Sequence, residues 1–361
     1  MLRIEMLPAE QGDAIWIEWG DRSKPRRMLI DGGTSPTWGT KKQAGPLARR
    51  IAALDEDDRH FELLVVSHVD GDHILGAVQL LADETLGATF EDVWFNGWRH
   101  LPGTTEPMGP VDGEELTFLL DRRAWNAAFD GKAVKIPETG RLPSKTLKGG
   151  LKLTVLGPDE ERLAKMVPVW NEAVRNAGLE PGKGAKPTPL TPPGLEALGP
   201  GDRPNVETLA GGHVSEDNAE ANGTSIVLLA EHGDDSALLC ADAFPSSVLR
   251  GVQRLLEERG GDRLAVSALK LPHHGSRRNI ALKLLEAVDT REFLFSSNGN
   301  RTRHPDREAV AQVLHAFDGP RLWFNYKTGF NEVWDRADVK KSFDYRTEYG
   351  DGTIALEFPP P

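Results

Sequence analysis

Short apolar runs separated by turn-rich segments open the chain. Leu2 to Met6, Ala14 to Trp19 and Met28 to Ile30 read as three strands, the second alternating so that Ile15 and Ile17 face one side and Trp16 and Glu18 the other. Leu47, Ile51 and Leu54 then make a helical stripe. Leu63-Leu64-Val65-Val66 reads as a buried strand, Ile74, Ala77, Val78 and Leu81 recur at helical spacing, and Val93-Trp94-Phe95 is a further strand. The pattern loosens over about 98–150. From about 160 to 222 the chain is rich in Gly, Pro, Lys and Glu, as in Pro181-Gly182-Lys183-Gly184 and Pro192-Pro193-Gly194. Both stretches are expected to be insertions or surface loops, with one alternating strand, Leu151 to Leu156, between them. Ser225 to Ala230 and Ala237 to Cys240 predict two strands joined by a hairpin turn at Glu231-His232-Gly233-Asp234-Asp235. Val248, Leu249, Val252, Leu255 and Leu256 form the apolar face of the next helix. Strand and helix pairs follow at Ala265 to Leu271, Ile280 to Val288, Phe293 to Ser296 and Val310 to Phe317. No repeat of fixed period is visible. Each half runs strands, helix, strand, as expected of two packed sheets covered by helices on both outer faces.

Chemistry concentrates on one strand-to-helix turn. Ser67-His68-Val69-Asp70-Gly71-Asp72-His73-Ile74-Leu75-Gly76 packs four potential metal ligands into six positions directly after the strand at 63–66. A lone His or Asp there would read as a cap or a satisfied polar group, but His-x-Asp-x-Asp-His as a set points to metal. Four further segments place polar residues after strands: Asp31-Gly32-Gly33, Asp242, His273-His274-Gly275-Ser276 and His304-Pro305. The carboxyl ends of strands are where α/β sheets gather their sites.

Composition narrows the class. The motif pieces are scattered from start to end of 361 residues, which favours one domain over 1–361 carrying insertions at 98–150 and 160–222. The opening Met-Leu-Arg-Ile-Glu-Met-Leu-Pro lacks the apolar stretch of a signal peptide and no run is long enough to span a bilayer, so a cytoplasmic protein without a membrane partner is expected. Cys240 is the only cysteine, which leaves His and carboxylate as the metal ligands. A net charge of −12 argues against a broad basic face that coats nucleic acid, without excluding a local basic patch.

With these motifs in hand, the chain resembles the metallo-β-lactamase fold superfamily, and within it the soluble hydrolase domain of the ComEC competence proteins. The resemblance is carried by Gln11-Gly12-Asp13-Ala14, Leu29-Ile30-Asp31-Gly32-Gly33, Asn222-Gly223-Thr224-Ser225-Ile226-Val227-Leu228, Lys270-Leu271-Pro272-His273-His274-Gly275-Ser276, Asn300 with His304-Pro305, and Asp351-Gly352-Thr353-Ile354. It implies an α/β fold, a four-layered αββα sandwich with a metal site at one edge. It also implies two divalent ions, Zn or Mn. The first would be held by His68, Asp70 and bridging Asp242, and the second by Asp72, His73, Asp242 and one of His273 and His274. Two departures stand out. Asp70 occupies the usual place of a second histidine, shifting preference from Zn²⁺ alone toward Mn²⁺ or Mg²⁺. Gly157 stands where a further histidine is often found, which weakens the first site. Asp31, Asn222 and Ser225 are expected behind the ligands, Asp31 fixing a ligand histidine's tautomer.

The implied activity is hydrolysis by a metal-activated water, with Asp72 or Asp70 orienting it and His304 or the unused histidine of the pair protonating the leaving oxygen. Lys270, Ser276, Arg277, Arg278, Arg301 and Arg303 gather around the late motifs, and guanidinium forks suit phosphate. A phosphodiesterase or nuclease is therefore expected, acting on a phosphate-containing substrate that includes nucleic acid. Trp94, Phe95, Trp98, Trp323, Phe324 and Tyr326 offer stacking surfaces, though aromatic residues in strands usually belong to the core. Two alternatives stay open: a carboxylic ester, lactone, thioester or phosphocholine ester hydrolase, and a metal-poor regulatory or binding module. Oligomeric state is not encoded legibly.

Overall fold

The computed structural model describes residues 1–40, 42–103, 111–176, 203–212 and 214–359. Two sheets dominate. The first has six strands in the order Ile354–Phe358, Leu2–Met6, Ile15–Trp19, Arg26–Ile30, Leu63–Val65 and Val93–Trp94. Its first three junctions are antiparallel and its last two parallel. The second has eight strands in the order Ser144–Thr146, Lys152–Gly157, Val227–His232, Asp235–Leu239, Ala268–Lys270, Glu292–Phe295, Arg321–Phe324 and Arg346–Tyr349. It too begins antiparallel and turns parallel, from the pairing of Asp235–Leu239 with Ala268–Lys270 onward. In both sheets the parallel half carries the ligand-rich motifs, because parallel strands all end at the same edge.

Period-2 alternation explains how the first sheet is packed. Ile4, Ile15, Ile17, Met28, Ile30, Leu63 and Val65 share one core with Leu153, Val155, Leu228 and Leu238 of the second sheet. The alternate positions Trp16, Leu29, Leu64 and Val93 pack with Leu47 and Ile51 of the helix Pro46–Ala52 and with Ile74, Ala77, Val78 and Leu81 of the helix Gly71–Ala82. Both faces are thus covered. That is why Trp16 is fully buried and Glu18 is buried against Arg27 at 3.1 Å, although strict alternation allows one side to be solvated. On the second sheet, Val248, Val252 and Leu255 of the helix Pro245–Arg259 and Val310 and Val313 of the helix Arg307–Ala316 join the first core.

The segments expected as loose loops hold more structure than that. Glu160–Asn176 is a 17-residue helix whose Leu163, Met166, Trp170 and Val174 are buried in the second core. Their spacing is helical, but charged neighbours masked the stripe. Val111–Leu120 is also a helix, burying Leu116 and Leu120. The Pro- and Gly-rich runs at 181–184 and 192–194 lie outside the described residues. Among the described residues no helix is long and apolar enough to cross a membrane.

One close approach ties the fold to the ligand turn. A Cβ on Gly76 would sit 1.9 Å from the Gly32 carbonyl oxygen, because the helix Gly71–Ala82 lies directly on the Asp31-Gly32-Gly33 loop. The contact is sealed by Gly32 N–H donating to His73 O and Gly76 N–H to Gly33 O. Gly76→Ala is expected to lower the unfolding free energy by roughly 1–3 kcal/mol, the usual cost of overpacking. A wild-type urea midpoint for this variant would show that the contact is not tight.

Candidate metal centre

Five strand ends meet at one point. Asp31 follows Arg26–Ile30, and Ser67 and His68 follow Leu63–Val65. Asp242 follows Asp235–Leu239, the histidine pair follows Ala268–Lys270, and His304 lies in the loop after Glu292–Phe295. Asp70 is the N-cap of Gly71–Ala82, so Asp72 and His73 fall in that helix's first turn and turn back toward the strands. The backbone here is strained: Asp31, Ala241, His273, His274 and Arg303 all have φ between 46° and 63° without being glycine. Left-handed non-glycine residues cost of order 1–3 kcal/mol each and gather where function overrides local preference.

Asp242 is the hub. It is 2 % exposed, and four imidazoles approach it. His73 Nε2 is 3.3 Å from its Oδ1, while His274 Nε2, His273 Nε2 and His68 Nε2 are 3.5, 3.6 and 4.0 Å from its Oδ2. Burial acts to raise the Asp242 carboxyl, but His73, His274 and His273 outweigh it and hold the group well below the usual carboxylate range. The same carboxylate acts in the opposite sense on the rings. Burial lowers His274, yet Asp242 and then Asp13 raise it to about 9. His73 is likewise lifted well above the ordinary histidine value by Asp242 and Asp31 against the effect of burial. Burial dominates at His304 and lowers it.

Among the described residues, four overlapping groups of ligand atoms meet here, each with all its members within 4.8 Å of one another. Two are His68, His73 and Asp242, and Asp72, His73 and His274; the other two lie behind them and include Asp13, as Asp13, Asp31 and His73, and as Asp13, Asp242 and His274. His274 Nε2 lies 3.3 Å from His73 Nε2 and 3.9 Å from Asp72 Oδ2. Asp70 stands beside the first group, its Oδ2 3.7 Å from His68 Nε2. His273, by contrast, has its Nδ1 engaged by Asn279 Oδ1 at 2.9 Å and near Asp217 Oδ2 at 3.5 Å, and is part-exposed. The donor set fits a divalent cation. His68 Nε2 and Asp242 Oδ1 are buried without a hydrogen-bond partner, a state costing about 1–3 kcal/mol per atom that a cation between them would relieve. Gly157, in the strand Lys152–Gly157, faces Val227 and offers no side chain to this centre.

Behind the ligands the supports are dense. Asp31 is fully buried and accepts from Ser67 N–H and Ser67 Oγ at 2.7 Å, with His73 Nδ1 2.8 Å away. Ser67 Oγ is in turn 3.0 Å from His68 Nδ1. Asn222 donates to Asp217 at 2.6 Å, and Ser225 Oγ accepts from Asp242 N–H at 3.3 Å. Asn279 donates to Asp217 and to the Asp242 carbonyl, both at 3.1 Å. His304 lies with its ring 5.3 Å from that of His273, and its Nδ1 is 3.6 Å from Asp306 Oδ2.

The expected cationic cluster is only partly present. Lys270 is 2 % exposed, its Nζ 2.6 Å from Asp13 Oδ2, because its strand lies inside the second sheet. It does not face a substrate. Ser276 is buried in the turn, its carbonyl accepting from Asn279 N–H. Arg277 is exposed but paired with Glu308 at 2.9 Å. Arg278 donates to Asn218 Oδ1 and the Glu216 carbonyl, while Arg301 and Arg303 are exposed. Trp94, Phe95, Trp98 and Phe324 are buried in the cores, Trp323 donates to Glu292, and Tyr326 OH accepts from Glu10 N–H. Sequence reasoning assigned no role to Asp13, Ser67, Asp217, Asn279 or Asp306. Nor did it find Asp112, whose carboxyl is raised by burial and by nearby Asp70. Asp13 sat in plain view beside Gly12, whereas Asp217 lay in a stretch read as loop.

No family model and no curated protein matches the chain. Among solved structures, the diiron β-hydroxylase CmlA from Streptomyces venezuelae aligns at 11 % identity and TM-score 0.42, over 99 % of this chain and 54 % of that one. A point mutant of CmlA aligns over the same shares at 12 % identity and TM-score 0.39. A protein assigned as a metal-dependent hydrolase from Parabacteroides distasonis aligns at 8 % identity and TM-score 0.36, over 97 % of this chain and 94 % of that one. The chain thus spans about half the length of CmlA.

Proposed function

We propose that the chain is a metal-dependent hydrolase of the metallo-β-lactamase type, with a four-layered αββα architecture, acting on phosphodiesters. The observation that carries this reading is Asp242, a buried carboxylate at the meeting point of His68, His73, His273 and His274. Asp70, His68 and Asp242 would hold one divalent cation, and Asp72, His73, His274 and Asp242 a second. When bound, such a pair supplies Lewis acidity and brings the pKa of a coordinated water from about 15.7 toward 7.

The protein's own groups do the rest. Asp31 holds the His73 ring so that Nε2 faces the centre. Arg278 and Arg303, exposed beside Asn279 and His304, attract and orient an anionic substrate. His304 is kept uncharged near neutral pH by burial, so it engages a substrate oxygen as a neutral imidazole. His273, part-exposed and fixed through Nδ1, delivers a proton to the leaving oxygen.

Protein reconstituted with Mn²⁺ or Zn²⁺ is expected to cleave bis-p-nitrophenyl phosphate and single-stranded DNA or RNA, to stop when a chelator is added, and to lose the activity in Asp72→Ala. A metal-loaded protein inert on all of these contradicts the proposal. The pairing of Lys270 and Arg277 with carboxylates thins the cationic cluster and favours one second reading, a carboxylic ester or lactone hydrolase. Turnover of p-nitrophenyl acetate or a lactone without phosphodiester cleavage would select it.

A further inference from the structure

A buried ion pair reaches the centre from behind. Lys270 Nζ donates to Asp13 Oδ2 at 2.6 Å and to the Leu271 carbonyl at 3.1 Å, and both side chains are 2–3 % exposed. The other oxygen, Asp13 Oδ1, faces His274 Nδ1 at 3.4 Å. Both atoms are buried and neither makes a hydrogen bond, so each is the other's nearest available polar partner. The opposite nitrogen of that ring, Nε2, is the one that meets His73, Asp72 and Asp242. Around the pair, Ile15, Ile30, Leu228 and Leu239 line a small apolar void between the sheets, so little water competes for either charge.

A carboxylate this far from solvent is expensive unless paired, and it is paired on one side only. The ammonium fixes Oδ2 and thereby aims Oδ1 at the imidazole. An imidazole that donates through Nδ1 keeps its Nε2 lone pair for a cation, and such outer contacts typically set metal affinity. Asp31 performs the same service for His73, at 2.8 Å, from the other sheet.

We propose that Asp13 and Lys270 are positioning residues. Lys270 holds Asp13, and Asp13 fixes the His274 ring with Nδ1–H toward itself and Nε2 toward the group formed with Asp72 and His73. This rests on the two-cation reading above and deepens it, by giving one of the two sites its own support.

The test uses two variants that remove both buried charges together, so that neither leaves an ion unpaired. Asp13→Ala with Lys270→Met deletes the acceptor, and Asp13→Asn with Lys270→Met keeps a carbonyl oxygen in its place. Titration of Zn²⁺ and Mn²⁺ against a chromophoric chelator is expected to show one of two equivalents weakened about 10–100-fold in the alanine variant. The other should stay close to wild type, and the asparagine variant should recover part of the loss. Wild-type affinity at both equivalents in the alanine variant, or equal loss at both with no recovery by asparagine, would overturn the proposal. Histidine-selective ¹H–¹⁵N spectra of the metal-free protein separate this from failure of the reading it rests on. The His274 Nδ1 proton should be exchange-protected in wild type and lost in the alanine variant, whether or not a cation binds. A proton unchanged by Asp13→Ala with Lys270→Met would contradict the contact itself.

Discussion

Asp242→Ala is expected to leave the protein unable to retain either cation and to reduce phosphodiester hydrolysis by about a thousandfold or more. The size follows from the several kcal/mol of charge stabilisation that bound cations supply, at 1.36 kcal/mol per factor of ten. The breadth of the effect follows from position. Asp242 is the one residue here whose two oxygens face His73 on one side and His68, His273 and His274 on the other. Removing Asp70 or Asp72 should weaken one equivalent, whereas removing Asp242 should weaken both. Elemental analysis of the variant after dialysis against Mn²⁺ or Zn²⁺ measures this directly, and two retained equivalents would refute the bridging assignment.

The second large effect concerns stability. Lys270→Met leaves Asp13 charged and buried between the sheets with only the His274 ring beside it, and breaking a buried pair from one side typically costs about 3–5 kcal/mol. Adding Asp13→Asn should return most of that loss, since removing both charges is often close to neutral. Burial acts to raise the Asp13 carboxyl, but Lys270 and His274 outweigh it and hold the group well below the usual range. A carboxyl depressed in the folded state contributes its stability at neutral pH and loses it only as pH falls through its folded value. In Lys270→Met burial is left opposed by less charge, so protonation of Asp13 relieves the variant as pH falls. The gap between wild type and Lys270→Met in urea unfolding should therefore be large at pH 7 and shrink as pH falls through the folded Asp13 value of the variant. A gap under 1 kcal/mol at pH 7 would mean that the pair is not isolated from solvent.

What could be read from the chain was local. The strands at the start, the hairpin around Gly233 and the ligand turn at 67–76 are visible because their signals lie within a few residues: alternation, a turn tetrad, four ligands in six positions. Strand ends could be recognised as places for polar residues, so Asp31, Asp242 and the pair His273 and His274 could be grouped without knowing the order of the strands. Lys270 shows where this stops. Beside Arg277 and Arg278 in sequence it reads as one more cation, and only its partner 257 residues away makes it an internal one. The choice between His273 and His274 was undecidable for the same reason, since adjacent residues with φ of 47° and 56° point their rings in directions no periodic pattern encodes. The helix Glu160–Asn176 was missed for a different one. Its buried stripe of Leu163, Met166, Trp170 and Val174 is thin and set among charges, so composition outweighed periodicity.

Divalent-metal content of the purified wild-type chain, measured after reconstitution with Mn²⁺ or Zn²⁺ and removal of free ion, bears most directly on the centre built around Asp242. Two equivalents per chain, falling to none in Asp242→Ala, is the result expected. A folded wild-type protein that retains no cation under these conditions would contradict the account.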